Sequence, residues 1–325
     1  MSRIGITTTV PIEIILASGQ VPVDLNNIFI TDKEASKLVE AAEDAGYPRN
    51  ICGWIKGLYS TVVNSNDIDK VIAVTQGDCS NTHALMETLE LAGVQTLPFA
   101  YPFDRDYDLL KLQMDKLIAA LGTDWEAVGK VTNRLKSLRQ KVAEIDRLTW
   151  QENTVSGFDN HLFQVSCSDF DGDADSFEQR VDEFLAKTQA AAEFNENIRL
   201  GFIGVPPIFT DLYTYFEQMG ARVVFNEVQR QFAMPNVVED LVEQYRLYTY
   251  PYGVFGRIQD IQAEIEKRNI DGIIHYVQSF CFRQIEDMIF REKLDVPILT
   301  IEGDKPGRVD ARTKLRIDSF LEMLK

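Results

Sequence analysis

The sequence of 325 residues is poor in the side chains that most metal, nucleophile and nucleotide chemistry uses. It has three histidines and four cysteines, Cys52, Cys79, Cys167 and Cys281, with no CxxC pair. In a reducing compartment such dispersed cysteines exclude a disulfide framework and leave core packing, metal ligation or thiol chemistry. No GxGxxG follows a strand-like run, no GxxxxGK[ST] occurs, and GVFGR at 253–257 lacks the phosphate-cradle spacing. Neither a dinucleotide site nor an ATPase is expected, so any ATP-driven step belongs to another protein. GxSxG is absent and general bases are few, which argues against a hydrolase. No apolar run reaches the ~20 residues that span a bilayer, and Pro11 and Glu13 interrupt the N-terminal stretch where a leader would need an unbroken one. A cytoplasmic location is expected. Positive charge is also short: 33 Lys and Arg stand against 50 Asp and Glu, a net charge of −17. Nucleic-acid backbones and anionic lipid surfaces are repelled by such a chain and are not expected as partners.

Eight short runs rich in Val and Ile are present: 3–7, 21–25, 70–76 and 94–99 in the first half, and 198–205, 221–227, 271–278 and 296–303 in the second. Each is followed by a helical pattern, the signature of parallel strands with crossover helices. The fold class is therefore α/β, with two lobes of four-stranded, mainly parallel sheets and a helical insert. The expected organisation is a first α/β lobe at 1–105, a helical insert at 106–165, an acidic linker and connecting helix at 166–196, and a second α/β lobe at 197–325.

The insert contains an amphipathic stretch at 106–121 and a second at 123–148 that opens with Thr123 and Glu126 as a capping box. In the latter, Trp125, Val128, Val131, Leu135, Leu138, Val142, Ile145 and Leu148 follow steps of three and four and line one face. An antiparallel helical pair is expected, serving the core or a dimer contact. The linker carries Asp171, Asp173 and Asp175, but lacks the glycine at the sixth position of a calcium loop. It reads as solvated, with Asp175 or Ser176 capping a helix that runs to about Asn195.

The two lobes echo each other. RIGITTTVPIEII aligns with RLGFIGVPPIFTDL, both running from a strand into a proline at the first helical turn. KVIAVTQGDCSNTHALM aligns with GIIHYVQSFCFRQIEDM, placing Gln76 over Gln278 and Cys79 over Cys281 at the same strand-to-helix joint. Ligands gather beyond the carboxyl ends of strands in open α/β sheets, and helix N-termini lower thiol pKa values and favour metal-binding thiolates. Cys52, in the turn YPRNICGW, is a third candidate ligand; Cys167 has neither a repeat counterpart nor a helix start and reads as a buried small hydrophobe. Soft thiolates select iron–sulfur clusters or zinc. Zinc held by three cysteines and His83, one turn beyond Cys79, is the rival reading.

At VPIEIILASGQVPVDL, YPRNICGWIKG, TQGDCSNT, HYVQSFCFRQIEDMIF and VPILTIEGDKPGRVDARTKLRIDSFLEML the chain resembles the 2-hydroxyacyl-CoA dehydratase component D and benzoyl-CoA reductase family, as a short member. The resemblance covers nearly the whole chain. It implies two Rossmann-like lobes holding a 4Fe-4S cluster on Cys52, Cys79 and Cys281, with one iron open. It also implies an ATP-dependent activator carrying its own cluster, low-potential electron transfer, and dehydratase or reductase chemistry on an acyl-CoA, in a homodimer or a heterodimer with a related subunit. Gln76, Gln278 and His275 are candidates to hydrogen-bond the sulfurs or a bound carbonyl. Arg308, Arg312 and Arg316 offer a cationic patch for a CoA phosphate or are solvated on the last helix. The alternatives to an enzyme are a non-catalytic electron-transfer or cluster-holding subunit and a structural zinc protein.

Overall fold

The computed structural model describes residues 2–188, 191–195 and 197–325. The first lobe runs β1 (Arg3–Ile6), α1 (Ile12–Ala17), β2 (Val21–Asp24), α2 (Leu25–Thr31), α3 (Ala35–Asp44), α4 (Gly53–Val63), β3 (Lys70–Gln76), α5 (Thr82–Leu91) and β4 (Gln95–Ala100). The helical segment holds α6 (Tyr107–Leu121), α7 (Trp125–Trp150) and α8 (Gly157–Val165), then 3-10 turns at Ser166–Ser168 and Phe170–Gly172, then α9 (Ala174–Thr188). The second lobe runs β5 (Ile198–Gly204), α10 (Leu212–Gln218), β6 (Ala221–Asn226), α11 (Glu227–Phe232), α12 (Leu241–Leu247), α13 (Val254–Arg268) and β7 (Gly272–Gln278). A 3-10 turn at Phe282–Glu286, α14 (Asp287–Lys293), β8 (Ile298–Gly303) and α15 (Ala311–Leu324) complete it. None of the described helices is long and apolar enough to cross a membrane.

All eight apolar runs are strands, and both sheets are entirely parallel. Their orders, β2-β1-β3-β4 and β6-β5-β7-β8, are the same topology twice. Every residue of β7 and β6 is buried, as strands covered by helices on both faces require. In each sheet the chain winds outward from the first strand, then returns to wind the other way from the third. The switch points therefore lie between β1 and β3 and between β5 and β7, where crevices open at the carboxyl ends.

The lobes exchange packing. Phe29, Ala35 and Val39, from α2 and α3, share an apolar core with Leu200, Phe202, Ile274 and Tyr276 of the second sheet. Reciprocally, Tyr245, Tyr248 and Tyr252 pack with Ile72, Phe99 and Tyr101 of the first. The α7 stripe is spent within the chain: Val128, Leu135, Leu138, Val142 and Ile145 are buried, and the helix packs on α1, α8 and α9, while α6 packs on α12, α1 and β4. The insert helices thus clasp the lobes instead of forming a separate pair.

Local capping differs from the sequence expectation. Asp124, not Thr123, caps α7 by accepting from Ala127 N at 2.8 Å, and Glu126 turns to Lys130 at 2.7 Å. Asp173 caps α9, accepting from Asp175 N and Ser176 N at 3.1 Å; a carboxylate two residues before Asp175, just ahead of the first helical residue, meets both free N–H groups. Asp171 pairs with Arg180 and Asp175 with Arg134, so the acidic linker is tied down by cations. The helix ends at Thr188, short of Asn195, and the linker positions 189, 190 and 196 lie outside the described residues. Pro206 and Pro207 open no helix, since α10 begins only at Leu212; they stay in the loop after β5.

Candidate functional site

The two switch points face one cavity of about 360 Å³. Thr7 and Thr8 reach it from the end of β1, Asp78 and Cys79 from β3, Val205 to Pro207 from β5, and Gln278, Cys281 and Arg283 from β7. Cys52 joins them because it is the N-cap residue of α4, which leans on the second lobe. The closeness is enforced at Gly53: a Cβ there would lie 2.6 Å from the Asp304 carbonyl oxygen. Gly53→Ala is expected to wedge α4 from the loop after β8 and to destabilise the protein by roughly 1–3 kcal/mol. A thermal melt and faster alkylation of Cys52 would register it; an unchanged melt would mean that the contact is slack.

The structure brings Cys52, Cys79 and Cys281 to this one cavity and leaves Cys167 out of it. Cys167 is buried, and its Sγ donates to Phe163 O at 3.3 Å. Each of the three cavity sulfurs meets backbone N–H groups at a turn or helix start: Trp54 and Ile55 for Cys52, Asn81 at 3.4 Å for Cys79, Arg283 for Cys281. The expected lowering of their pKa does not result. Burial outweighs those N–H groups and pushes the Cys52 thiol up to about 12, with Cys79 and Cys281 also raised. Cys281 adds to the rise at Cys52, and both of these add to it at Cys79, so the sulfurs lie within electrostatic reach of one another. Ionising all three in this setting requires positive charge from outside the protein, as a metal supplies.

The aligned glutamines part company. Gln278 is buried, its Nε2 donates to Asp304 O at 2.8 Å and its Oε1 accepts from Tyr276 OH at 3.0 Å. Gln76 is exposed and outside the cavity wall. A register shift between Val74 and Gln76 against β4 turns it away, whereas the pairing of β7 with β8 is regular to Gln278. His275 is buried behind the site, with Nδ1 donating to Asp287 at 2.7 Å; His275, Thr300 and Arg291 hold that carboxyl far below its ordinary range. His83 is exposed and outside the cavity lining. Among the described residues, no group of three or more His, Cys, Asp or Glu side chains is arranged to hold a single metal ion. One zinc ion would draw sulfurs to within about 3.8 Å of each other, from Zn–S bonds near 2.3 Å.

Five cavity residues escaped the sequence reading. Asp78, beside Cys79, is pushed up to about 6 by burial and accepts from Tyr250 OH at 3.0 Å. Arg283 is buried and bridges the lobes, Nη2 donating to Tyr250 O at 3.0 Å and to Gly77 O at 3.4 Å. His161 lines the far wall against Tyr213 OH at 3.3 Å, and burial pushes its pKa down to about 3. Asp24 and Asp169 meet there as well. Asp78 and Arg283 could have been flagged by adjacency to the cysteines; the other three are joined only by tertiary folding.

Fold and site define a duplicated two-lobed α/β protein whose facing crevices present three cysteines to one cavity. The family model of 2-hydroxyglutaryl-CoA dehydratase, D-component, matches residues 7–324. The chain belongs to that family and is a 2-hydroxyacyl-CoA dehydratase-like subunit. Comparison with curated proteins gives no match.

Proposed function

We propose that Cys52, Cys79 and Cys281 hold a 4Fe-4S cluster between the lobes, and that the protein uses low-potential electrons from an ATP-dependent activator for reductive or radical dehydration of an acyl substrate. The observation that carries this reading is the convergence of three thiols, from both lobes, on one cavity. When bound on three thiolates, such a cluster supplies one open iron with combined Lewis-acid and redox character. The chain's own residues fit it. Backbone N–H groups of Trp54, Ile55, Asn81 and Arg283 point at the sulfurs, and the Arg283 guanidinium adds fixed positive charge near Cys281. Trp54, Ile55, Leu58, Pro206 and Pro207 make the neighbouring wall apolar, which keeps water from the reacting atoms.

A cavity of about 360 Å³ beside the thiols favours an enzyme over a carrier of electrons alone. It suits the acyl end of a thioester. Arg308 pairs with Asp211 at 3.4 Å, Arg316 donates to Thr300 O at 2.7 Å, and neither these nor Arg312 lines the cavity. Phe280, Phe282, Ile285 and Met288 are exposed around Cys281 and form an apolar rim suited to an electron-donating partner. Iron, zinc and acid-labile sulfide analysis of anaerobically purified protein, with EPR after low-potential reduction, tests the reading. About four iron and four sulfide per chain are expected; stoichiometric zinc without sulfide would overturn it.

A further inference from the structure

Two carboxyl groups that the cluster reading does not use line the same cavity. Asp24 ends β2 and caps α2, and Asp169 joins the two 3-10 turns after α8. They lie 145 residues apart in sequence, yet Asp169 Oδ2 accepts from Asp24 N at 2.6 Å. Both are buried, at 4% and 6% exposure. Asp24 Oδ1 accepts from Asn26 N at 2.9 Å and Asn26 Nδ2 at 2.8 Å, Asp169 Oδ1 accepts from Asp171 N at 2.9 Å, and the Ser168 side chain also bonds Asp24.

No Lys or Arg among the described residues forms an ion pair with either carboxyl. The charged groups around them do not compensate: Asp171 is held by Arg180, Asp78 adds a third, partly buried acid to the cavity, and Arg139 beside Phe170 is committed to Glu13. His161 stays neutral. Two buried acids, one carboxyl bonded to the backbone N–H of the other residue and within electrostatic reach of its carboxyl, cannot both ionise cheaply without a counter-ion. Burial pushes Asp169 up to about 7, Asp24 and Asp171 adding to the rise, and burial raises Asp24 as well. The fold itself asks for no acid here. The second lobe puts Asn226 at the end of β6, where the first has Asp24, buried and accepting from Tyr213 OH at 2.6 Å.

We infer that Asp24 and Asp169 hold one proton between them at neutral pH and form an acid–base site on the cavity wall for a neutral, hydroxyl-bearing ligand. The shared proton stands by itself; the chemistry assigned to it rests on the dehydration reading. In the net elimination, the ionised member takes a C–H proton and the C–H electron pair becomes the second bond of a C=C. The protonated member gives its proton to the departing hydroxyl, which leaves as water with the C–O pair. One proton enters and one leaves, so the pair finishes with its starting charge. The surrounding acids favour a ligand that brings no negative charge to this wall.

Infrared titration of the full chain, compared with Asp24→Asn and Asp169→Asn, reads the pair without iron or turnover. Asparagine caps as well as aspartate, so Asp24→Asn retains the bonds from Asn26, whereas Asp169→Asn keeps an acceptor for only one of Asp24 N and Asp171 N. The wild type is expected to show, besides Asp78 with its pKa pushed up to about 6, a further protonated carboxyl that ionises near neutrality and is lost in the variants. In either variant the remaining acid should titrate lower by about one unit or more, since its like-charged neighbour is gone. Binding of 2-hydroxybutyramide should exceed that of the anion 2-hydroxybutyrate by about tenfold, a difference that persists in the variants, where the one remaining carboxylate carries the same net charge as the pair. A folded wild type whose carboxyl titration above pH 5 is unchanged in both variants would overturn the shared proton, and equal or tighter binding of the anion would overturn the ligand class. Protein without iron that keeps the titration would overturn the cluster while leaving the pair.

Discussion

Cys281→Ala is expected to reduce the iron and acid-labile sulfide of anaerobically purified protein from about four of each per chain to less than about one, and Cys52→Ala and Cys79→Ala to do the same. Cys167→Ala is the internal control. Its sulfur is buried against Phe163 O outside the cavity, so iron content should be retained although some stability is lost. The contrast matters because a cluster held by two thiolates is lost more readily than one held by three, and because the sulfurs come from both lobes. Cys281 is only partly buried at the head of its 3-10 turn, so its removal leaves little void and the variant should keep its circular dichroism, losing chiefly the stability that the bound cluster contributes. Full iron content in Cys281→Ala would refute the ligand assignment without reference to any substrate.

What the sequence disclosed and what it hid follow from the range of the interactions involved. All eight strands were legible because a parallel strand covered on both faces must be a continuous apolar run, and KVIAVTQ and GIIHYVQ are such runs. The duplicated joint disclosed Cys79 and Cys281 because one topology used twice puts equivalent residues at equivalent crevices. It misled at Gln76, where a single register shift turned the side chain to solvent. It also misled on thiol acidity, because helix N-termini are visible in a sequence and burial is not. Asp24 and Asp169 each look like an ordinary cap, and each is one. Their contact across 145 residues exists only after α8 has carried the second acid to the edge of β2.

Glu13→Ala is expected to cost about 3–5 kcal/mol in a denaturant unfolding experiment, the largest stability effect of the substitutions considered. Glu13 is fully buried at the start of α1, where it accepts from Arg139 Nη1 of the insert at 2.6 Å and from Tyr245 OH of the second lobe at 2.9 Å. Arg139 is buried too, and among the described residues its Nε and Nη2 find no hydrogen-bond partner and Glu13 is its one ion-pair partner. Removing the carboxylate leaves a buried guanidinium with no carboxylate to pair it among the described residues and only the Phe170 ring face beside it. Glu13→Ala combined with Arg139→Met should therefore be more stable than Glu13→Ala alone, since the second change removes the stranded cation. If the single variant lost less than about 1 kcal/mol, the network would be peripheral to the fold. The test also bears on the site. Three thiols supplied by two lobes converge only while the lobes keep their relative position, and Glu13 joins the first lobe to both the insert and the second. Loss of iron from Glu13→Ala at temperatures where its helices remain folded is the expected sign that this buried ion pair holds the cavity together.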